Sequence, residues 1–168
     1  MKLRRLELKD AQPMQECMND DNVNHFMRIH SMSFTVESCE RFIESTWSDE
    51  KNKHFAIADD NDEWVGTISL KDIDLVKKEA EYAIVTASKV HGTGISHEAS
   101  REILRYAFKD LKLERVYLYL STKNVRANKF YVKFGFHFDR TDKSLMEING
   151  NKEDINWYSM SKEEYERL

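Results

Sequence analysis

The chain has 168 residues, 40% of them apolar, 11% aromatic and 33% charged, with a formal net charge of −4. That apolar share excludes a disordered polymer, and the acidic balance excludes the basic face carried by nucleic-acid binders. No stretch reaches the roughly 20 apolar residues of a membrane span, and the mean hydropathy is −0.69.

A chain this long removes roughly 70% of its unfolded surface from water, so it folds without disulfides or metal. It suits one domain over residues 1–168. Cys17 and Cys39 form no Cys-x-x-Cys pair, and no apolar segment follows the basic first residues. These features predict a cytoplasmic protein with reduced thiols. With one proline and five glycines, each glycine is read as answering a backbone need.

In chain order, residues 3–8 alternate weakly as a first strand, and helices are predicted over 11–18 and 36–48. In the second helix Cys39, Phe42, Ile43 and Trp47 recur at helical spacing. Residues 22–34, rich in Phe and Met, read as a substrate-contacting loop or short helix, or else as buried packing. Strands follow at 54–58, 63–72 and 79–86, the first two joined by a turn at Asp59-Asp60-Asn61-Asp62. After Ser88–Gly94 a helix carries Ala99, Ile103, Tyr106, Ala107 and Leu111 in one stripe, widened by Leu104 and Phe108. A strand at 116–120 comes next, then a helix with Ala127, Phe130, Tyr131 and Phe134 on one face, stopped at Gly135. Strands at 136–139 and 155–160 close an α/β or α+β domain.

The passage from strand through Gly92-Thr93-Gly94 to helix is the most informative stretch. Its free N–H groups and the helix dipole would gather an anion, most naturally a pyrophosphate. A tight turn needing positive φ explains the two glycines equally well. A dinucleotide fingerprint would need glycine where His97 stands, and no Gly-Lys-Ser/Thr follows either glycine. The six histidines lack ligand spacing, and no Gly-x-Ser-x-Gly elbow is present.

Lys89-Val90-His91-Gly92-Thr93-Gly94 resembles the Arg/Gln-x-x-Gly-x-Gly/Ala loop of the GNAT superfamily of acetyl-CoA-dependent N-acetyltransferases. The run from Asn124 through Ala127, Asn128, Tyr131 and Gly135 to Phe136 is similar to its Asn-x-x-Ala-x-x-x-Tyr-x-x-x-Gly-Phe segment. Trp64-Val65-Gly66-Thr67-Ile68-Ser69-Leu70 is similar to its third strand. Asp154–Tyr165 resembles the closing strand of the ribosomal-protein N-terminal acetyltransferase branch. Lys89 stands where Arg or Gln is usual, and His91 where Arg, Gln or Trp is common.

The resemblance implies a mixed, mostly antiparallel sheet of six to seven strands flanked by helices, with a splayed central strand pair. It implies acetyl-CoA as co-substrate, no metal, and direct attack by a primary amine in a ternary complex. Amides of His91, Gly92, Thr93, Gly94, Ile95 and Ser96 would hold the pyrophosphate, while Ile84, Val85 and Thr86 would bind the pantetheine arm by backbone. Lys89, Asn124 and Asn128 complete the expected cofactor set, Asn124 doubling as a helix cap. Tyr131 takes the general-acid position beside the departing sulfur, with a core aromatic as the competing reading. Glu81 takes a general-base position, with a solvated strand face as its rival.

For the acceptor, the segment Gly66–Asp74 with Ala80-Glu81 looks similar to acetyltransferases of nucleotide-linked amino sugars. A small amine such as an amino sugar is therefore expected. A protein α-amine is the alternative, and a non-catalytic acyl-CoA-binding module a second one. In the family the acceptor pocket is shaped by the segments corresponding to 22–34 and 143–156. Neither nucleic acid nor membrane is expected as a partner. Homodimers are common among relatives, but the sequence carries no signal of one.

Overall fold

The computed structural model describes residues 1–27, 34–148 and 150–168. Period-two alternation makes the strands two-faced, and the helices cover both faces. The strands are β1 (Lys2–Arg5), β2 (Lys53–Ala58), β3 (Trp64–Asp74), β4 (Glu79–Thr86), β5 (Arg115–Ser121), β6 (His137–Ile148) and β7 (Asn151–Ser161). They form one seven-stranded sheet in the order β1-β2-β3-β4-β5-β7-β6. Every pairing is antiparallel except β4 with β5.

On one face lie α1 (Ala11–Met18) and α3 (Val36–Thr46), with the short α2 (Asp21–Asn24) between them in sequence. Leu6, Met14, Cys17, Cys39, Ile43, Ala56 and Trp64 make the core there. On the other face lie α4 (Ile95–Arg105) and α5 (Val125–Phe134). Of the expected stripe, Ala99, Ile103, Leu104, Ala107 and Phe108 are buried in one core with Ile57, Ile68, Leu70, Tyr82, Val116 and Leu118, while Tyr106 and Leu111 are partly buried against it. Its last part, Tyr106–Asp110, widens into a π-helical turn. A short α6 (Lys162–Glu166) follows β7. Among the described residues no helix is long and apolar enough to cross a membrane.

Several boundaries moved. The first strand ends at Arg5 because a capped turn at Leu8–Asp10 follows, pinned by Arg4, which grips the Asp10 carboxylate at 2.8 Å. The helix expected over 36–48 stops at Thr46, and the Trp47 indole N–H donates to the Leu6 carbonyl at 2.8 Å. The largest change is at the C-terminus, where β6 and β7 form a long hairpin in place of two short strands.

The feature that matters for function is in the middle of the sheet. β4 and β5 pair only at Glu79–Glu81 against Arg115–Tyr117. Beyond Glu81 the two strands have no pairing, so a wedge opens between residues 82–86 and the end of β5.

Candidate functional site

Strand alternation fixes which backbone groups face the wedge. The Ala87 N–H donates to the Val65 carbonyl at 2.9 Å, so Ala87, Val85 and Ala83 turn their peptide groups toward β3. Those of Tyr82, Ile84 and Thr86 turn toward the missing neighbour. Of the three residues expected on the pantetheine arm, Ile84 and Thr86 thus offer backbone, and Val85 offers its side chain. The Thr86 carbonyl already meets His91 Nε2 at 3.3 Å.

The wedge opens into a cleft of about 580 Å³. Its walls bring together Ile84, Val85, Thr86, His91, Gly92, Gly94, Ser96, Asn124 and Tyr131. The glycines behave as their positions require: Gly92 has φ +80° and Gly94 φ +88°, with no atom within 4 Å of where a Cβ would stand. Gly94 is the N-cap of α4 and supplies no side-chain cap. The first helical bond runs from Glu98 N–H to the Gly94 carbonyl at 3.1 Å, which leaves the first-turn donors unpaired.

The local turns decide which amides are available. His91 N–H donates to the Ser88 carbonyl at 3.1 Å, and Thr93 N–H to the Val90 carbonyl at 3.2 Å. Those two, counted in the sequence as phosphate donors, are engaged by the turn at Ser88–Val90. Gly92, Gly94, Ile95 and Ser96 keep free N–H groups, and His97 joins them. Five convergent donors at a helix N-terminus suit a diphosphate. Lys89 is exposed and is not among the residues of the cleft wall. Arg126, in the first turn of α5, is a cationic wall residue that the motifs did not single out.

Asn124 caps α5, its Oδ1 accepting from Ala127 N–H at 3.3 Å, and its amide nitrogen remains available on the cleft wall. Asn128 behaves differently. Its Nδ2 donates to the carbonyls of Ser121 (3.0 Å) and Asn124 (2.8 Å). Its Oδ1 accepts from Asn156 Nδ2 (2.9 Å) and the Tyr158 hydroxyl (2.7 Å). With its amide fully engaged and no place on the cleft wall, Asn128 ties α5 to β5 and β7, and its expected cofactor contact is set aside.

Tyr131 is 8% exposed and lines the cleft floor. Burial pushes its phenol well above the usual value near 10, and neighbouring Tyr82 adds to the shift. Glu81 points to the opposite face of β4 from Tyr82. Its carboxylate pairs with Lys71 Nζ at 3.0 Å and is buried, outside the cleft wall. A base role there would have to act across the strand and out of that ion pair. Of the segment 22–34, Asn22, Val23, Phe26 and Met27 line the cleft, and residues 28–33 lie outside the described residues. Asp20, unnoticed in the sequence, anchors this wall: its carboxylate caps α2 at Asn22 N–H and accepts from Ser88 Oγ at 2.8 Å.

Residues 1–137 match the acetyltransferase (GNAT) domain family. The chain belongs to the GNAT acetyltransferases. As a GNAT enzyme it uses acetyl-CoA as co-substrate, and the wedge, free amides and cleft fit that molecule's diphosphate and arm. A Vibrio cholerae spermidine N(1)-acetyltransferase is 24% identical over 153 residues, 91% of this chain and 88% of that protein. A Bacillus subtilis protein provisionally named a ribosomal N-acetyltransferase is 32% identical over 101 residues, 60% of this chain and 55% of its own. Among solved structures, a Vibrio cholerae spermidine N-acetyltransferase in complex with CoA and spermine superposes with a TM-score of 0.88. That match has 22% identity and covers 98% of this chain and 96% of the other, a likeness of fold.

Proposed function

We propose that this GNAT enzyme acetylates a primary amine of a small molecule, an alkyl polyamine ahead of an amino sugar. One observation carries the reading: the unpaired edge of β4, the glycine turn with Gly92, Gly94, Ser96 and His97, and Tyr131 line one cleft. In that arrangement the helix N-terminus holds the diphosphate and the β4 edge holds the pantetheine. A β4 N–H polarises the acetyl carbonyl, a contact worth about 3 kcal/mol where such donors have been removed. Tyr131, made a weaker acid by burial, keeps its proton and hydrogen-bonds to the departing sulfur. The sulfur leaves as a thiolate and takes its proton from solvent.

The likeness to proteins named for spermidine acetylation in Vibrio cholerae and Escherichia coli supports the polyamine, and the net charge of −4 suits a cationic acceptor. A protein α-amine is the second reading, favoured by the 32% identity to the protein named for ribosomal acetylation. Thiol release from acetyl-CoA is measured with spermidine, a nucleotide-linked amino sugar and a short peptide as acceptors. Turnover highest with spermidine supports the proposal. Release with the peptide alone moves the acceptor to the second reading, and release with none rejects both.

A further inference from the structure

The cap of α2 does more than a cap needs. Asp20 Oδ1 accepts from the Asn22 N–H at 2.9 Å, which serine, threonine or asparagine would do as well. Its second oxygen, Oδ2, accepts from Ser88 Oγ at 2.8 Å, 68 residues away in the sequence. Among the capping side chains only a carboxylate offers a separate oxygen to each donor. Beyond that bond, Ser88 opens a chain of hydrogen bonds that runs into the glycine turn. The Ala87 carbonyl takes the Val90 N–H and the Ser88 carbonyl the His91 N–H, both at 3.1 Å. The Val90 carbonyl takes the Thr93 N–H at 3.2 Å and the Thr93 hydroxyl at 2.6 Å. The free amides of Gly92 and Gly94 are set in this chain, so a diphosphate seated there fixes Ser88 too.

The other end of the bond is a weak element. α2 has four residues, none of them buried, against the roughly 12–15 that a helix needs to hold alone. Asn24 Nδ2 donates to the Met18 carbonyl at 3.2 Å, and Val23 packs at the edge of the core of Leu6, Ile43 and Trp64. Yet α2 and the residues after it give the cleft wall Asn22, Val23, Phe26 and Met27. We propose that Asp20 and Ser88 are positioning residues that couple the two substrates: acetyl-CoA on the glycine turn fixes α2, and with it the wall that receives the amine. The inference rests on the reading of the cleft as the acetyl-transfer site with α2 facing the acceptor. Such coupling is reciprocal, so an amine held against α2 tightens acetyl-CoA by the same factor. The bond is charge-assisted but only partly buried, which makes its loss worth about fivefold.

The test uses the full chain carrying Ser88→Ala, which deletes the bond from one side, or Asp20→Ser, which keeps a cap for α2 but is too short to reach Ser88. Hydrogen exchange at the Val23, Asn24 and Met27 amides is followed with and without saturating CoA. In the wild type CoA slows that exchange about fivefold, and in either variant it does not. With the fastest of the three acceptors named above, KM for the amine rises about fivefold in each variant, and by the same factor in the double variant, because both cut one bond. Ser88→Thr, which keeps the hydroxyl, behaves as wild type. No slowing in the wild type, equal slowing in Ser88→Ala, or a double variant that loses about 25-fold each overturns the coupling. CoA that fails to bind the wild type in a calorimetric titration rejects the reading of the cleft itself, a separate failure. Should Asp20→Ser not fold, exchange in Ser88→Ala against Ser88→Thr decides.

Discussion

Gly66 offers the sharpest mechanical test of how the wedge is held open. It sits on β3 opposite Thr86 of β4 and Ile57 of β2. A Cβ there would stand 2.7 Å from the Val85 carbonyl oxygen, 3.0 Å from Thr86 Cγ2 and 3.1 Å from Ile57 Cδ1. Ordinary contact begins at 3.4 Å, so Gly66→Ala drives the carbonyl back by about 0.7 Å. A carbonyl cannot rotate away like a side chain. The peptide unit that carries it also carries the Thr86 N–H, aimed into the wedge, and Ile57 is fully buried behind. Overpacking of this kind costs about 1–3 kcal/mol, which in a chain of this size lowers Tm by roughly 2–12 °C. Because the displaced peptide faces the cofactor, KM for acetyl-CoA rises about tenfold while KM for the amine stays put. Thermal melting and steady-state thiol release read the two effects. A variant that melts and binds acetyl-CoA like wild type refutes the claim that Gly66 sets the β4 edge.

Other outcomes follow from particular contacts. Asn128→Ala, which breaks three hydrogen bonds from α5 to β5 and β7 and one to the carbonyl of its own helix cap Asn124, lowers stability by about 2 kcal/mol in denaturant melts. It leaves KM for acetyl-CoA near wild type, and a large KM change would return Asn128 to the cofactor. Burial pushes the Cys17 thiol up to about 12 and raises Cys39 also, so in the native chain a disulfide-exchange reagent at pH 8 labels neither within an assay. Rapid labelling of both in the folded chain would contradict the packing. Burial holds the Tyr82 and Tyr131 phenols above their unfolded value near 10. Their contribution is complete below that pH and is lost as pH rises through the folded values. Chemical denaturation should therefore show stability level to about pH 10 and falling above, less steeply in Tyr82→Phe.

The sequence was most legible where local rules act alone. The sequence places strand 79–86 and helix 11–18 at their observed bounds. The glycine loop and its positive φ angles were equally visible, because few other residues tolerate that backbone. β6 was read as four residues and has twelve, since Asp139, Arg140, Thr141 and Lys143 are solvent-facing and give no alternation. The site was legible as a set of motifs but not as a set of contacts. Which loop amides are free depends on the turn at Ser88–Val90, and what Asn128 does depends on Asn156 and Tyr158, 28 and 30 residues away. The pairing of Glu81 with Lys71 likewise follows from the register of β3 against β4, which no single-strand pattern contains. Asp20 escapes the motifs for the same reason, since its place is set by Ser88, 68 residues away in sequence.

The most direct measurement is a crystal structure of the chain with CoA. The account predicts the diphosphate within hydrogen-bond reach of the amides of Gly92, Gly94, Ile95, Ser96 and His97. It also predicts the arm along Ile84 and Thr86, and the sulfur beside the Tyr131 hydroxyl. A diphosphate seated instead in the outer groove of Arg101, Arg105 and Lys109, with the wedge between β4 and β5 left vacant, would contradict it.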